Sequence, residues 1–338
     1  MLKVSHSRLS TFRGCPWKYK LKYEDELIPI RQYAKAVTIG SVVHDAFYLH
    51  HNKVPAETIR KYMNSCFDKA LSEAELVDQE DYTIARWIAL GMFSHYPWYN
   101  DKNTSIVAEE YFSTKIANMR GVRLVGYIDR IITTDKCVMI GETKTTGMNA
   151  SMFDNRCQVS DQAATYIYGA RSVGIPASGV EYEVIKRPAL RKRQDENADD
   201  FGQRLFLDYG DPNKKSMYYR RHTTYRNDEV LALYERDLVK TVKELRWMRK
   251  ENAWYRNTDE CFNYNRECPY RKICFTNKPD TLTLELFFKK GDSDERENEK
   301  TRLREIINKC RKKPRLNTGS LEGVDDSSSE YGKGKQSS

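Results

Sequence analysis

Three short segments that favour β-structure follow one another between residues 105 and 145, and they constrain the fold more than any other feature. The runs SIVAEEYFSTKIA, RLVGYIDRIITT and CVMIGETKT are rich in β-branched and aromatic residues, and the sequences NMRG and TTDK separate them. Such residues favour strands, whereas Gly, Asn and Asp favour the turns between strands. The pattern therefore predicts three consecutive strands in a meander.

Helical periodicity precedes and follows these strands. Residues 5–24 predict a short helix that breaks near Cys15-Pro16. Residues 228–252 predict a long amphipathic helix, with an apolar stripe of Val230, Tyr234, Leu238, Val242 and Leu245. Further helices are predicted over 38–51, 56–76, 83–97 and 156–172, further strands over 179–187 and 216–226, and a polar loop over 191–202. This order of elements predicts a mixed α/β (α+β) core.

The composition favours a basic, folded protein with a polar end. The chain has 338 residues, a formal charge of +9 and 22 tyrosines. Tyrosines beside Lys and Arg suit single-stranded nucleic acid, although ordinary packing explains them equally well. Residues 1–280 are predicted to form the folded domain, and 281–338 a charged, largely disordered tail with a marginal helix over 296–310.

The N-terminal sequence and the apolar runs give no membrane signal. MLKVSHSRLSTFRGC lacks the apolar stretch of a signal peptide, and no run approaches the ~20 apolar residues that span a bilayer. We therefore expect a cytoplasmic protein whose eight cysteines stay reduced.

The apolar run Cys137–Ile140 ends in an unusual pair of charged residues. Glu142 and Lys144 are expected on one face of the strand, because side chains alternate, and Asp129 approaches them if the two strands pair. Carboxylates are preferred ligands of Mg²⁺ and Mn²⁺. The lysine would neutralise developing phosphate charge or help to orient and deprotonate water. A cross-strand salt bridge is the alternative explanation of this triplet.

Two neighbouring segments add candidate side chains. His44 lies in a predicted helix and is a suitable further ligand, particularly for Mn²⁺, although a lone histidine is more often a packing or surface residue. Gln162 and Tyr166 are four residues apart and therefore share one face of the predicted helix over 156–172.

The cysteines suggest a second site. Cys261, Cys268 and Cys274 have the spacing C-x6-C-x5-C, and Cys15 is the candidate for a fourth thiolate. Such a set holds either zinc or an iron–sulfur cluster.

The ordered set of motifs resembles the PD-(D/E)XK nuclease superfamily, specifically its RecB-type nuclease domains with an iron–sulfur cluster. That group includes the AddB nuclease domain, nucleases of CRISPR adaptation and phage exonucleases. The resemblance implies a restriction-endonuclease-like core, with a mixed central sheet flanked by helices and a helical periphery stapled by the cluster. It is carried by SHSRLSTFRGCPWKYKLKY, IGSVVHDAF, LVGYIDRI, IGETKT, QAATYIYGA and CFNYNRECPYRKIC.

The resemblance also implies a role for each candidate. Asp129, Glu142 and His44 would bind Mg²⁺ or Mn²⁺, and Lys144 would be the catalytic lysine. A QxxxY motif that supports the active site and contacts DNA would consist of Gln162 and Tyr166. A [4Fe–4S] cluster, or alternatively zinc, would be bound by Cys15, Cys261, Cys268 and Cys274. The first gap in the terminal cysteine motif is longer here than in the best-known members.

The function implied is that of a metal-dependent deoxyribonuclease, an exonuclease acting on single-stranded DNA or DNA ends. The resemblance places it in a bacterial, archaeal or phage-infected cell. The chain has no G-x-x-x-x-G-K-[ST] motif, so a helicase or recombination protein would supply unwinding. The alternatives are a non-cleaving DNA-binding module of nuclease ancestry, acting in repair or recombination, and a zinc-stabilised scaffold.

Overall fold

The β-branched and aromatic segments form the strands of a central sheet, as the sequence predicts. In the computed structural model, residues 1–30, 35–98, 105–133, 137–263, 266–276, 280–291 and 296–312 are described. The strands of these segments are β1 (Leu2–Val4), β2 (Leu27–Pro29), β3 (Ser105–Lys115), β4 (Val122–Thr133), β5 (Val138–Thr146), β6 (Ala177–Lys186), β7 (Tyr219–Tyr225), β8 (Phe262–Asn263), β9 (Arg266–Glu267) and β10 (Phe288–Lys290).

Helices occupy most of the remaining described chain. They are α1 (His6–Gly14), α2 (Pro16–Tyr19), α3 (Lys35–His51), α4 (Ala56–Glu73), α5 (Leu76–Ser94), α6 (Ala150–Gln158), α7 (Asp161–Ser172), α8 (Ala198–Gly210), α9 (Lys215–Tyr218), α10 (Asp228–Glu251), α11 (Arg271–Cys274), α12 (Thr281–Phe287) and α13 (Arg296–Lys312). None of these described helices is long and apolar enough to cross a membrane.

The central sheet is mixed. Strands β3, β4 and β5 form the predicted meander, with antiparallel pairing at both steps. Strand β6 runs parallel to β5, and β7 runs antiparallel to β6. Strand β1 pairs in parallel with the start of β4. A mixed sheet flanked by helices agrees with the restriction-endonuclease-like core that was predicted.

Strand β4 has one partner along one edge and two partners along the other. On the first edge, β3 pairs with residues 123–133 of β4. The other edge pairs with β1 at Val122–Leu124 and with β5 at Arg130–Thr133. Asp129 therefore lies where β5 separates from β4, which opens a fork in the sheet.

The sheet separates two hydrophobic cores. Val184 of β6 belongs to the core formed with α1, α7 and α10, whereas the next residue, Ile185, belongs to the core formed with α3, α4, α5 and α8. Because successive side chains of a strand point to opposite faces, helices cover both faces of the sheet.

The structure corrects three details of the predicted helices. Residues 191–202 were expected to form a loop, but α8 begins at Ala198, where the Asn197 side chain caps the backbone N–H of Asp200 at 2.9 Å. The helix expected over 156–172 is two helices, α6 and α7. In α10, Val230 is 40% exposed and Leu231 takes its place in the core, because the stripe follows the 3.6-residue period.

The charged end of the chain contains more structure than the sequence predicts. Strand β10 pairs with β2, and the ring of Phe288 stacks on that of Tyr270 at 5.6 Å. Helix α13 packs Leu303 and Ile307 into the second core. Residues 281–291 therefore differ from the predicted disordered tail, whereas α13 matches the helix predicted over 296–310. Residues 313–338 lie outside the described residues.

Candidate active site

Two buried carboxylates meet at the fork between β4 and β5. Arg130 and Gly141 are a paired position of the two strands, and Asp129 and Glu142 are the next residues in the direction of the fork. The Glu142 side chain is 4% exposed and that of Asp129 is 15% exposed. Two acidic groups are therefore held together with little water around them.

Helix α3 supplies a histidine to this pair. Nε2 of His44 lies 2.8 Å from Oδ1 of Asp129. The Asp129 carboxylate raises the pKa of His44 to about 9. Burial alone would raise the pKa of Asp129, but the His44 contact outweighs it and holds this pKa below its usual range. The two side chains therefore form a charged pair in the structure as described.

Lys144 and Gln162 hold the second carboxylate. Nζ of Lys144 lies 2.5 Å from Oε1 of Glu142, and Nε2 of Gln162 donates to the same oxygen at 3.3 Å. Gln162 also donates to the hydroxyl of Tyr166 at 3.0 Å, one turn further along α7. Burial and the Asp129 charge raise the pKa of Glu142 despite its contact with Lys144.

In each carboxylate, one oxygen contacts a neighbouring side chain and the other does not. Oδ2 of Asp129 and Oε2 of Glu142 are buried and have no hydrogen-bond partner among the described residues. Leaving a buried carboxylate oxygen unpaired is unfavourable, and a hard divalent cation with oxygen ligands would satisfy both atoms. The donor set of His44, Asp129 and Glu142 thus fits Mg²⁺ or Mn²⁺ chemically.

The four cysteines of the predicted second site line one cavity beside the start of α2. They come from segments that are far apart in sequence, and they are Cys15, Cys261, Cys268 and Cys274. The backbone N–H groups of Lys18 and Asn257 donate to Sγ of Cys15, at 3.5 and 3.4 Å. Burial raises the pKa values of the Cys268 and Cys274 thiols.

In neither site are the side chains gathered at metal-ligand spacing. Across the described parts of the chain, no group of three or more His, Cys, Asp or Glu side chains is arranged so that it could hold a metal ion. The metal and cluster ligands named from the sequence therefore remain predictions about binding.

A buried network behind the fork was not predicted from the sequence. Arg130, which is 1% exposed, pairs with Glu183 at 2.8 Å and donates to Oγ1 of Thr143 at 2.6 Å. The hydroxyl of Tyr96 donates to Glu183 at 2.5 Å. This network ties Arg130, the strand residue that follows Asp129, to β5, β6 and the segment just after α5. The signal was an arginine within the apolar run YIDRII, since a buried charge requires a partner.

Comparison with known proteins agrees with this architecture. A family model described as the PD-(D/E)XK nuclease superfamily matches residues 3–275. The match includes both carboxylates, Lys144, Gln162 and all four cysteines of the cavity. No curated protein gives a significant match.

Proposed function

The chain belongs to the PD-(D/E)XK nuclease superfamily, and from this premise we propose that it is a divalent-metal-dependent deoxyribonuclease. We further propose that it acts as an exonuclease on single-stranded DNA or on DNA ends. Membership of the family supports a nuclease-type function with DNA as the substrate. The chemical step of the proposal, hydrolysis of a phosphodiester, rests on the side chains at the fork.

One observation carries the proposal: side chains from four elements converge on two carboxylate oxygens that have no partner among the described residues. His44 of α3 contacts Asp129 of β4, and Gln162 of α7 donates to Glu142 of β5, the neighbouring strand. An ordinary salt bridge between Glu142 and Lys144 would not require a second buried carboxylate beside it, nor a histidine on that carboxylate.

His44, Asp129 and Glu142 would hold the metal ion. When bound, a divalent cation supplies charge stabilisation at the scissile phosphate and a more acidic water. The contact between His44 and Asp129 would give way when the metal binds, because a ligating imidazole is neutral.

Lys144 would act on the water and on the phosphate. Its ammonium group lies against Glu142, and its side chain is 34% exposed, so it reaches both the carboxylate and the solvent side of the site. A cation in this position orients the attacking water and stabilises negative charge that develops on the phosphate oxygens. Gln162 would keep Glu142 in place through its amide, and the Tyr166 hydroxyl would fix the orientation of that amide.

The exonuclease proposal is tested by comparing linear and circular single-stranded DNA. With Mg²⁺ or Mn²⁺, purified protein should degrade the linear form and leave the circular form intact. With EDTA it should degrade neither form. Cleavage of the circle at the same rate would show an endonuclease instead. A folded, metal-loaded protein that cuts neither form would favour the non-cleaving DNA-binding module.

We also propose that Cys15, Cys261, Cys268 and Cys274 bind a [4Fe–4S] cluster. Their common cavity and the N–H groups aimed at Cys15 support it, since such groups stabilise a bound thiolate. The cluster would join the start of the chain to residues 261–274 and act structurally. Iron and sulfide analysis of anaerobically purified protein, with its visible spectrum, distinguishes this from zinc, which is colourless.

Unwinding would come from a partner. We propose that a helicase or recombination protein delivers the strand when the substrate is duplex DNA.

A further inference from the structure

The face of β3 and β4 that leads to the fork carries a row of cations. Arg123 of β4 is the register partner of Lys3 on β1 and also of Lys115 on β3. Three neighbouring strands therefore place three positive side chains side by side, across about 10 Å. Lys3 and Lys115 are exposed, whereas Val122 and Leu124 on either side of Arg123 are buried.

These charges have no acidic partner among the described residues. No carboxylate in that part of the chain forms an ion pair with Lys3, Arg123 or Lys115. Like charges directly opposite one another destabilise a sheet. Arg123 is held in place instead, since its Nε donates to Oγ of Ser113 at 2.6 Å and its Nη2 donates to the Ser113 carbonyl. A fixed row of unbalanced cations is complementary to a polyanion.

A pair of aromatic rings lies between this row and the fork. Tyr111 and Tyr127 are register partners on β3 and β4, and their ring centroids are 4.9 Å apart. Tyr111 is 43% exposed, and Tyr127 is half-buried. Ile128, the next residue, is fully buried, so the strand turns Tyr127 away from the core. Aromatic faces beside cations suit unpaired bases.

The order of these groups along β4 defines a path. Arg123 is followed four residues later by Tyr127 and then, two residues further, by Asp129. The path from the cation row to the candidate metal site is about 20 Å long, at the rise of an extended strand. A single strand following it would place phosphates at the cations, bases at the tyrosines and a phosphodiester at the fork.

We propose that this face of β1, β3 and β4 is a binding track for single-stranded DNA, which guides the strand into the active site. The inference rests on the proposed function, because it names the substrate surface of that same site. Unpaired bases are required for the tyrosine contacts, since the bases of a duplex are stacked on one another. The track therefore predicts a preference for single strands over duplex DNA.

The track is tested by binding measured without cleavage. Fluorescence anisotropy in EDTA would follow a labelled oligothymidylate and a duplex of equal length. The variants are Lys3→Gln/Lys115→Gln, Tyr111→Leu and the conservative Tyr111→Phe. The matched control is Lys61→Gln/Lys69→Gln, which removes two exposed cations from α4, outside the proposed track.

We expect the Lys3→Gln/Lys115→Gln variant to bind the single strand about tenfold or more weakly, with a salt slope reduced by about 1.4, which is about 0.7 for each phosphate contact. Tyr111→Leu should lose about tenfold and Tyr111→Phe should bind as the wild type does, because stacking needs the ring and not the hydroxyl. The Lys61→Gln/Lys69→Gln control should keep its affinity.

A small substrate separates failure of the track from failure of the nuclease proposal. Thymidine 5′-(4-nitrophenyl phosphate) is too short to reach the cation row, but its hydrolysis with Mn²⁺ requires the side chains at the fork. Unchanged hydrolysis in the track variants, with weakened strand binding, supports the track. Unchanged strand binding in those variants overturns it while leaving the nuclease intact. Equal losses of affinity for the single strand and the duplex would also overturn the track. A wild-type protein that hydrolyses neither the small substrate nor DNA would overturn the proposed function.

Discussion

Nε2 of His44 lies 2.8 Å from Oδ1 of Asp129, and this contact joins the helix α3 to the strand β4 at the fork of the sheet. It leaves the second oxygen of Asp129 buried and without a partner among the described residues, as Oε2 of Glu142 is. The relationship between the two residues therefore defines one side of a site that is rich in negative charge and protected from water.

Replacing Glu142 by Gln should separate the needs of folding from those of metal binding. Burial and Asp129 make the Glu142 charge unfavourable, so the metal-free variant should melt at least as high as the wild type. Mn²⁺ at a hundredfold excess over Kd should stabilise the wild type by about 2.7 kcal/mol and so raise its Tm. It should leave the Tm of the variant unchanged. Differential scanning fluorimetry with and without Mn²⁺ measures both.

The exposed Glu57→Gln on α4 is the control for this measurement, and it should keep the full metal response. A Glu142→Gln protein that Mn²⁺ still stabilises as strongly as the wild type would remove Glu142 from the set of ligands.

Gln162 and Tyr166 should act as one unit. Since Gln162 donates both to Glu142 and to the Tyr166 hydroxyl, Tyr166→Phe loosens the same amide that Gln162→Leu removes. We expect each change to lower kcat for DNA cleavage about tenfold and the double variant to be no slower than Gln162→Leu, with a coupling of about 1.4 kcal/mol.

Tyr168→Phe is the matched control on the same helix, because its hydroxyl donates to Glu235 at 2.8 Å and not to the site. Strict additivity of the Gln162 and Tyr166 effects would show that the two side chains act separately.

The strands and the candidate carboxylates were the most predictable parts of the molecule. Period-two alternation and turn residues are local, so SIVAEEYFSTKIA, RLVGYIDRIITT and CVMIGETKT predicted the meander, and with it the proximity of Asp129 to Glu142. Helix α10 was also predictable, because its apolar stripe runs through many turns.

Elements that depend on contacts between distant segments could not be predicted from local sequence patterns. The buried side chains of α8 are Phe201, Leu205 and Tyr209, but its first turn is acidic and follows a strongly polar run, which hid the helix. The three-residue strands β2 and β10 have no periodicity and exist because they pair with each other. The contact of His44 with Asp129 depends on how α3 packs on the sheet, which no local pattern encodes.

Cys268→Ser should destabilise the protein more than it alters the chemistry. A metal centre that joins segments distant in sequence contributes several kcal/mol, so we expect Tm to fall by about 5 °C or more, together with loss of iron, sulfide and visible absorption. Cys66→Ser is the control, since Cys66 is a half-buried thiol of α4 outside the cysteine cavity. Unchanged melting of Cys268→Ser would contradict a structural cluster.

His50 should make the protein sensitive to acid. Burial lowers its pKa from 6.5 to about 4, so the unfolded chain binds more protons than the folded one between these values. Stability from this group is therefore lost as the pH falls through that window, by about 2 kcal/mol at about pH 5. Urea unfolding at about pH 7 and about pH 5 should show a smaller loss in His50→Gln than in the wild type. Identical losses in the two proteins would assign the acid sensitivity to other groups.

The central claim is that the side chains at the fork cut DNA, and Lys144→Met tests it most directly. End-labelled single- and double-stranded DNA would be incubated with anaerobically purified protein and Mg²⁺, Mn²⁺ or EDTA, beside Lys144→Met and the exposed Lys61→Met on α4. We predict metal-dependent shortening by the wild type and by Lys61→Met, and a rate about 10²-fold or more lower in Lys144→Met. Full-rate cleavage by a folded Lys144→Met protein would contradict the claim.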